Sequence, residues 1–519
     1  MAKKSKPCNP RILIVTPEIT YLPPGMGNMA QRLSAKAGGL ADVSASLVSA
    51  LFNLGADVHV AMPNFRKLFQ GDIFNLHEKQ LKQYHEVLPE DHIHLAEDRI
   101  FYYKDTIYSS HEEEAMRVAM VFQREVINHI VPKARPDLIH CNDWMTSLIP
   151  AMAKRRGIKS LFTVHNIHTR QVSLAQAEET GIDAAEFWMN LYFTQNPNGY
   201  DNARANVPVD LLTSGIFASH FINTVSPRFL WEIVEGWHPV VPWSVREEIR
   251  NKYHAGCATG ILNAPDASYN PTTDESLVRN YGADDFWDGK RANKEAFQHE
   301  MGLYVNADAP LFFWPSRLDP VQKGCQLVTD ILYQVISDYW DRPMQLAVVA
   351  NGPHEIFFQN MIRDFNLEGR VAIVNFDERL SRLGYAASDF MIMPSLFEPC
   401  GLPQMTAPLY GTLPVVHSTG GLYDTIRPMD VQNATGNGFR FDDYAPDALR
   451  WAIDQAMEFH ALPYEAKEPQ IRRVIKESIK EFSHEEVAKN YIAIYEEMLA
   501  RPLVENEAGI ESPPLKVVQ

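Results

Sequence analysis

The chain has 519 residues, 45% of them apolar and 22% charged, with a net charge of −17 at neutral pH. That length exceeds what one hydrophobic core organises, so two or three domains are expected. The negative balance excludes an extended nucleic-acid face, which needs clustered cations, but leaves room for a few Arg and Lys focused on a small phosphate ligand. Five scattered cysteines (Cys8, Cys141, Cys257, Cys325, Cys400) form no CxxC spacing. Neither a disulfide framework nor a zinc site is therefore expected, and reducing, cytoplasmic conditions fit. The basic start Met1–Pro7 leads into a strand without the apolar segment of a secretory signal, and no apolar run of about 18 residues exists to span a bilayer.

Short apolar runs recur in chain order between longer amphipathic stretches. They are Ile12–Val15, Val58–Met62, Leu138–Cys141, Leu161–Val164, Phe221–Val225, Leu311–Trp314, Leu346–Val349, Val371–Val374, Phe390–Met393 and Leu413–Val416. Runs apolar at nearly every position suit strands buried on both faces, as in parallel sheets covered by helices. Their number predicts an α/β protein with two doubly wound, Rossmann-like sheets, whose ligands bind at the carboxyl ends of the strands. The Pro-, Asn-, Asp- and Thr-rich stretch from Asn263 to Asp285 reads as the interdomain linker. A helical apolar pattern runs from about Ser483 to Ala500, and the residues after Val504 offer little to bury. The Pro/Gly loop from Tyr21 to Asn28 is longer than a usual strand-to-helix connection, which marks it as functional or as an insertion.

Polar clusters fall where the strands end. Lys36-Ala37-Gly38-Gly39-Leu40 opens the helical run Leu40–Leu51; glycines there let backbone approach a ligand, and free helix N–H groups favour an anion, as in a phosphate cradle or simply a tight turn. Ser418-Thr419-Gly420-Gly421 is its counterpart in the second half. Arg317 and Lys323 follow Leu311–Trp314, and two cations there suit a diphosphate whose charge grows as a sugar departs. No Asp-x-Asp occurs, so Arg and Lys are expected to do the work a metal does in many glycosyltransferases. Glu398, in Phe397-Glu398-Pro399-Cys400-Gly401-Leu402, places a carboxylate that can oppose oxocarbenium charge. Cys400 has no adjacent base and reads as a packed thiol. His165 ends a buried strand. Asp143 reads as an orienting carboxylate, and Trp144 can stack on a sugar or fill core.

Taken in order, these segments resemble the bacterial glycogen synthase and plant starch synthase family from Ile12 to about Tyr495. The resemblance implies two Rossmann-like domains facing a cleft (the GT-B arrangement): an acceptor-side domain over 1–264, a nucleotide-sugar domain over 265–482, a helix over 483–503 that crosses back to the first domain, and a flexible tail over 504–519. It implies retaining transfer of glucose from ADP-glucose to the non-reducing end of glycogen or another α-1,4-glucan, with no metal or other cofactor, no nucleic-acid or membrane partner, and a cytoplasmic location. By position, Glu398, His165, Arg317 and Lys323 match the catalytic groups. Lys36, Gly39, Asp143, Asn263, Phe376, Cys400, Gly401, Leu402, Gly420 and Gly421 match substrate contacts, with Phe376 where a tyrosine often stacks on adenine. Glu18 and Trp144 fall on the acceptor side.

The chain departs from the family pattern in several places. Ala37 stands for Thr in the lysine loop, and Arg317 and Lys323 lie one residue further apart than usual, so that loop must bulge. Pro403 replaces Thr or Asn and removes a backbone donor. Asn263-Ala264-Pro265-Asp266 replaces Asn-Gly-x-Asp, and Ile167-His168-Thr169-Arg170-Gln171 replaces Leu-Ala-Tyr-Gln-Gly. The alternatives these departures leave open are a catalytically impaired glucan-binding paralogue and a related transferase using UDP-glucose or another acceptor.

Overall fold

The computed structural model describes residues 9–27, 30, 33–69, 92–109 and 111–504. The expected tail from 505 onward, Asn28 and Cys8 lie outside them. The chain divides into two compact units, the first built from Met1–Val225, Leu230–Ile261 and His484–Gln519, the second from Ser226–Phe229 and Leu262–Ser483.

Among its described residues the first unit contains nine strands: β1 (Arg11–Val15), β2 (Asp57–Pro63), β3 (Ile93–Ala96), β4 (Leu138–Asn142), β5 (Lys159–Val164), β6 (Gln171–Val172), β7 (Val209–Asp210), β8 (Phe221–Thr224) and β9 (Ala258–Gly260). Seven form one sheet in the order β3-β2-β1-β4-β5-β8-β9, while β6 and β7 make a separate ladder. Every neighbouring pair in the large sheet is parallel. The second unit holds β10 (Leu311–Trp314), β11 (Gln345–Val349), β12 (Val371–Val374), β13 (Phe390–Met393), β14 (Leu413–His417) and β15 (Phe439–Phe441), again all parallel, in the order β12-β11-β10-β13-β14-β15. All ten apolar runs are strands of these two sheets. Their sealed faces explain the runs: Ile12, Leu13, Ile14, Val15 and Leu311, Phe312, Phe313, Trp314 are fully buried. Two cores pack against opposite faces of the second sheet, with Phe312 and Trp314 in one and Leu311 and Phe313 in the other, as strand alternation requires.

In each sheet the strand order reverses beside its first strand, between β1 and β4 and between β10 and β13. Loops leaving those neighbours diverge to opposite faces and open a crevice at the carboxyl ends.

The stretch Asn263–Asp285 is not a free linker. Tyr281 is buried and donates through its hydroxyl to the Tyr410 carbonyl at 2.9 Å, and the Tyr410 hydroxyl donates to Asp274 at 2.6 Å. Its Pro and Asn residues serve packed turns, such as Asn280 donating to the Pro271 and Asp274 carbonyls. The passage between units falls earlier, at Ile261–Leu262. The last helix, His484–Leu499, belongs to the first unit and packs on the helix Gly39–Asn53.

Candidate active site

In the first unit, polar residues collect where β1, β4 and β5 end. Glu18, three residues past β1, is buried, and its carboxylate accepts from the backbone N–H groups of Ala37 at 2.6 Å and Gly38 at 3.0 Å and from the Tyr108 hydroxyl at 3.0 Å. Burial raises its proton affinity more than these donors lower it. The glycine loop was expected to offer those N–H groups to a phosphate; here an internal carboxylate fills that role, and it joins Glu18 directly to the lysine loop. Lys36 is exposed and pairs with Asp42 at 2.9 Å, while Gly39 begins the helix Gly39–Asn53.

Asp143, directly after β4, is buried with φ of 60°, a left-handed conformation uncommon outside glycine. Its carboxylate accepts from the His165 backbone N–H at 3.1 Å and from the Asn166 side chain at 2.8 Å, tying the ends of β4 and β5 together. Burial pushes its proton affinity up, to a pKa of about 7, despite both donors. The His165 imidazole is pushed down to about 4 by burial, so it is neutral, and its Nε2–H donates to Asn142 Oδ1 at 2.8 Å. Trp144 is half-buried at the start of a short 3₁₀ turn, Trp144–Thr146.

In the second unit the loop after β10 carries the two cations. Lys323 is 9% exposed and Glu398, after β13, is 6% exposed; the ammonium and carboxylate meet at 2.5 Å. The Ser395 hydroxyl donates to the same Glu398 oxygen at 3.1 Å. Arg317 is exposed and has no ion-pair or hydrogen-bond partner among the described residues. Between the two cations the loop turns on Asp319. Its carboxylate accepts from Val321 and Gln322 N–H, each at 2.9 Å, and its carbonyl accepts from Lys323 N–H at 3.0 Å.

Gly420 and Gly421 start the short helix Gly420–Thr425 and hold this half together by close approach. A methyl group at 420 would stand 1.9 Å from the Glu398 carbonyl oxygen, and one at 421 would stand 1.9 Å from the Cys400 carbonyl oxygen. Only glycine lets the two loops touch there, and Gly421 N–H donates to the Glu398 carbonyl at 3.0 Å. Cys400 is buried, its Sγ accepts from Asn263 N–H at 3.4 Å, and burial pushes its thiol up to about 12, so it is an inert packing group. Asn263 Oδ1 is buried without a partner among the described residues, an acceptor left open beside this cluster. Gly401 adopts φ of 72°, and Leu402 caps the helix Pro403–Leu409. Pro403 therefore occupies the first helical position, where its missing N–H and fixed φ cost nothing to the helix. Phe376 is 55% exposed, its N–H donating to Asn351 Oδ1 at 2.9 Å, so its ring face is available for stacking.

Tyr108, Asn142, Asn166 and Ser395 were not anticipated. Ser395 stands three residues before Glu398, and the adjacent Asn142-Asp143 and His165-Asn166 pairs were the available signal for the two asparagines. Tyr108 lies 90 residues from Glu18, with no local signal joining them.

Two parallel Rossmann-like sheets, each carrying polar and charged side chains at its switch point, define a glycosyltransferase of the GT-B class. A model of the starch synthase catalytic domain matches residues 11–239, and one for group 1 glycosyl transferases matches 304–471. The chain belongs to the glycogen synthase and starch synthase family. It is 32% identical over 489 residues to a glycogen synthase of Exiguobacterium sibiricum, covering 89% of this chain and 95% of that one. It is 29% identical over 497 residues to the glycogen synthase of Bacillus subtilis, covering 89% and 95%. The fold matches the catalytic domain of starch synthase IV from Arabidopsis thaliana with a TM-score of 0.73 at 23% identity, over 95% of this chain and all of that one.

Proposed function

We propose that this chain transfers glucose from ADP-glucose to the non-reducing end of an α-1,4-glucan with retention of configuration. The observation that carries the reading is the buried Lys323–Glu398 pair at the ends of β10 and β13. An ammonium and a carboxylate in contact are ready to be separated by a reaction that creates opposite charges. As the glycosidic bond to the nucleotide breaks, negative charge on the leaving diphosphate draws Lys323, and Arg317, unpaired beside it, adds a second cation. Glu398 is left to face the positively charged sugar ring, with Ser395 fixing its orientation. The open acceptor on Asn263 suits a donor-sugar hydroxyl, and Phe376 suits the adenine face.

The Glu398 carboxylate, ion-paired with Lys323, serves in this reading as an electrostatic partner rather than a covalent nucleophile, and the acceptor hydroxyl attacks from the same face through an ion-pair-like state. Glu18 and Trp144 serve the acceptor side in this reading, and Lys36 and Gly39 reach the diphosphate once Glu18 holds their loop in shape.

The test is nucleotide release by purified protein offered ADP-glucose or UDP-glucose, with and without glycogen. ADP-glucose with glycogen should give the highest turnover, and Lys323→Ala or Glu398→Gln should lower kcat by at least about a hundredfold, the usual scale for removing one electrostatic stabiliser. Near-normal turnover in either variant would sink the proposed mechanism, a UDP-glucose preference would reassign the donor, and no release with any pair would favour a binding paralogue.

A further inference from the structure

At the amino-terminal edge of the first unit's sheet, the edge opposite the strand ends that lead to Glu18, Asp143 and His165, β2 begins with Asp57 and His59 and the chain enters β3 through His92 and His94. Both pairs are spaced by two, so each projects to one face of its strand, and the parallel register that sets Val60 beside Ile93 sets His59 beside His92. Asp57 Oδ1 lies 3.0 Å from His59 Nε2 and 3.8 Å from His92 Nδ1, and one ligand atom from each of the three residues falls within 4.8 Å of the others. Nitrogen and oxygen ligands at about 2.0–2.2 Å from a tetrahedral ion stand about 3.3 Å apart, so the first two separations bracket the required value.

The contacts around the cluster suit a cation. Arg11 Nε contacts the other Asp57 carboxylate oxygen, Oδ2, at 3.0 Å, leaving Oδ1 facing the histidines. His59 Nδ1 meets His94 Nε2 at 2.9 Å, the contact through which a ligating imidazole is normally oriented by a further partner. His94 Nδ1 is buried with no hydrogen-bond partner among the described residues, so His94 can exchange tautomers to accept from His59 without breaking another of the described bonds. His92 would release its 2.9 Å contact to the Val58 carbonyl on ligation.

We infer that Asp57, His59 and His92 form a binding site for a divalent transition-metal ion of the zinc type, with His94 as a positioning residue. Two imidazoles and a carboxylate select zinc, cobalt, nickel or copper over magnesium and calcium. The ion would tie β2 to β3 at the edge of their sheet opposite Glu18, Asp143 and His165, so its effect is on stability and the inference does not depend on the proposed transfer reaction.

The test uses the tag-free, full-length protein, stripped with chelator and titrated with Zn²⁺ by calorimetry and with Co²⁺ by visible absorption. One ion per chain is expected, with Co²⁺ bands of a tetrahedral site and a rise in Tm on loading. His59→Gln and His92→Gln should each weaken binding at least about tenfold, and His94→Gln about 10- to 100-fold, the range found for outer-shell partners. His299→Gln, exposed on the helix Phe286–Met301, should bind as before. His92 is half-buried, and a metal-free Tm for His92→Gln equal to the parent's separates ligand loss from misfolding. No stoichiometric binding by the parent, or binding unchanged in both His59→Gln and His92→Gln, overturns the site.

Discussion

Asp143 shows how one residue's burial becomes a measurable property. Its carboxyl is raised from an ordinary value near 3.8 to about 7 chiefly by burial, with a minor contribution from Glu18 nearby. The folded state therefore holds a proton that the unfolded chain releases across that window. The stabilisation is complete below the unfolded pKa and is lost as pH rises through the folded one. An Asp143→Asn protein has no such titration. The stability difference between the parent and this variant should shrink by about 3 kcal/mol between pH 5 and pH 8, at about 1.4 kcal/mol for each tenfold change in proton affinity. Denaturant melts of the first unit's transition at the two pH values read this directly, and a constant difference would mean that Asp143 stays ionised throughout. The fixed cost of replacing an acceptor that serves His165 N–H and Asn166 appears at both pH values and cancels. Much of this chemistry was legible residue by residue, because Asp143, His165, Lys323 and Glu398 each stand directly after or near the end of a strand. The bonds among them were not: the Lys323–Glu398 contact spans 75 residues and depends on β10 lying beside β13.

At the scale of elements, the glycine pairs divide into two kinds that look alike in sequence. Gly38-Gly39 opens a long helix, and Gly38 has a nearby neighbour only at ordinary contact distance, so its value lies in exposing backbone N–H groups that Glu18 collects. Gly420-Gly421 opens a short helix under the backbone of Glu398 and Cys400, and there the missing side chain is a steric necessity. Gly420→Ala, at φ of 45° and against a carbonyl oxygen, must push the Glu398 loop away. It should lower stability by at least about 1–2 kcal/mol and reduce turnover beyond what the stability loss explains, measured well below Tm. Gly38→Ala should cost less than about 1 kcal/mol, because its φ of −157° is open to any residue. Equal effects at the two positions would contradict this division. The strands were legible for a related reason. Parallel strands sealed on both faces must be apolar throughout, which picked out ten of them, whereas β9 is only half-buried and reads Ala-Thr-Gly, and β3 and β15 carry His94 and Arg440 among their apolar residues. The same polar interruption hid the histidine cluster, since Asp57-x-His59 and His92-x-His94 become neighbours only through the β2–β3 register.

At the scale of the whole molecule, the chain leaves its first unit at Ile261, builds the second, and returns to finish the first with its last helix. That return is wired into the sheet by a buried polar chain. The Thr163 hydroxyl donates to Asn223 Oδ1 at 2.6 Å, so its oxygen accepts from His140 Nε2–H, also at 2.6 Å. His140 Nδ1 is then the acceptor of the Tyr495 hydroxyl at 2.8 Å, and Asn223 Nδ2 donates to the Tyr491 hydroxyl at 3.0 Å. Burial drives His140 down to about 3, so the imidazole stays neutral and one tautomer satisfies every partner. Strands β4, β5 and β8 are thus read by two tyrosines more than 260 residues away. Tyr495→Phe leaves His140 Nδ1 buried without a donor and should destabilise the first unit by about 1–3 kcal/mol, the cost of one orphaned polar group. Ending the chain after Ser483 removes both tyrosines and uncovers the apolar face of the helix Gly39–Asn53, so the first unit should lose its cooperative melt altogether, while the second, complete from Leu262 to Ser483 apart from Ser226–Phe229, should keep most of its own. Calorimetry of the three proteins distinguishes the cases. If the truncated chain melts like the parent, the last helix is an appendage, and if Tyr495→Phe costs as much as truncation, the polar chain rather than the apolar packing holds the helix in place.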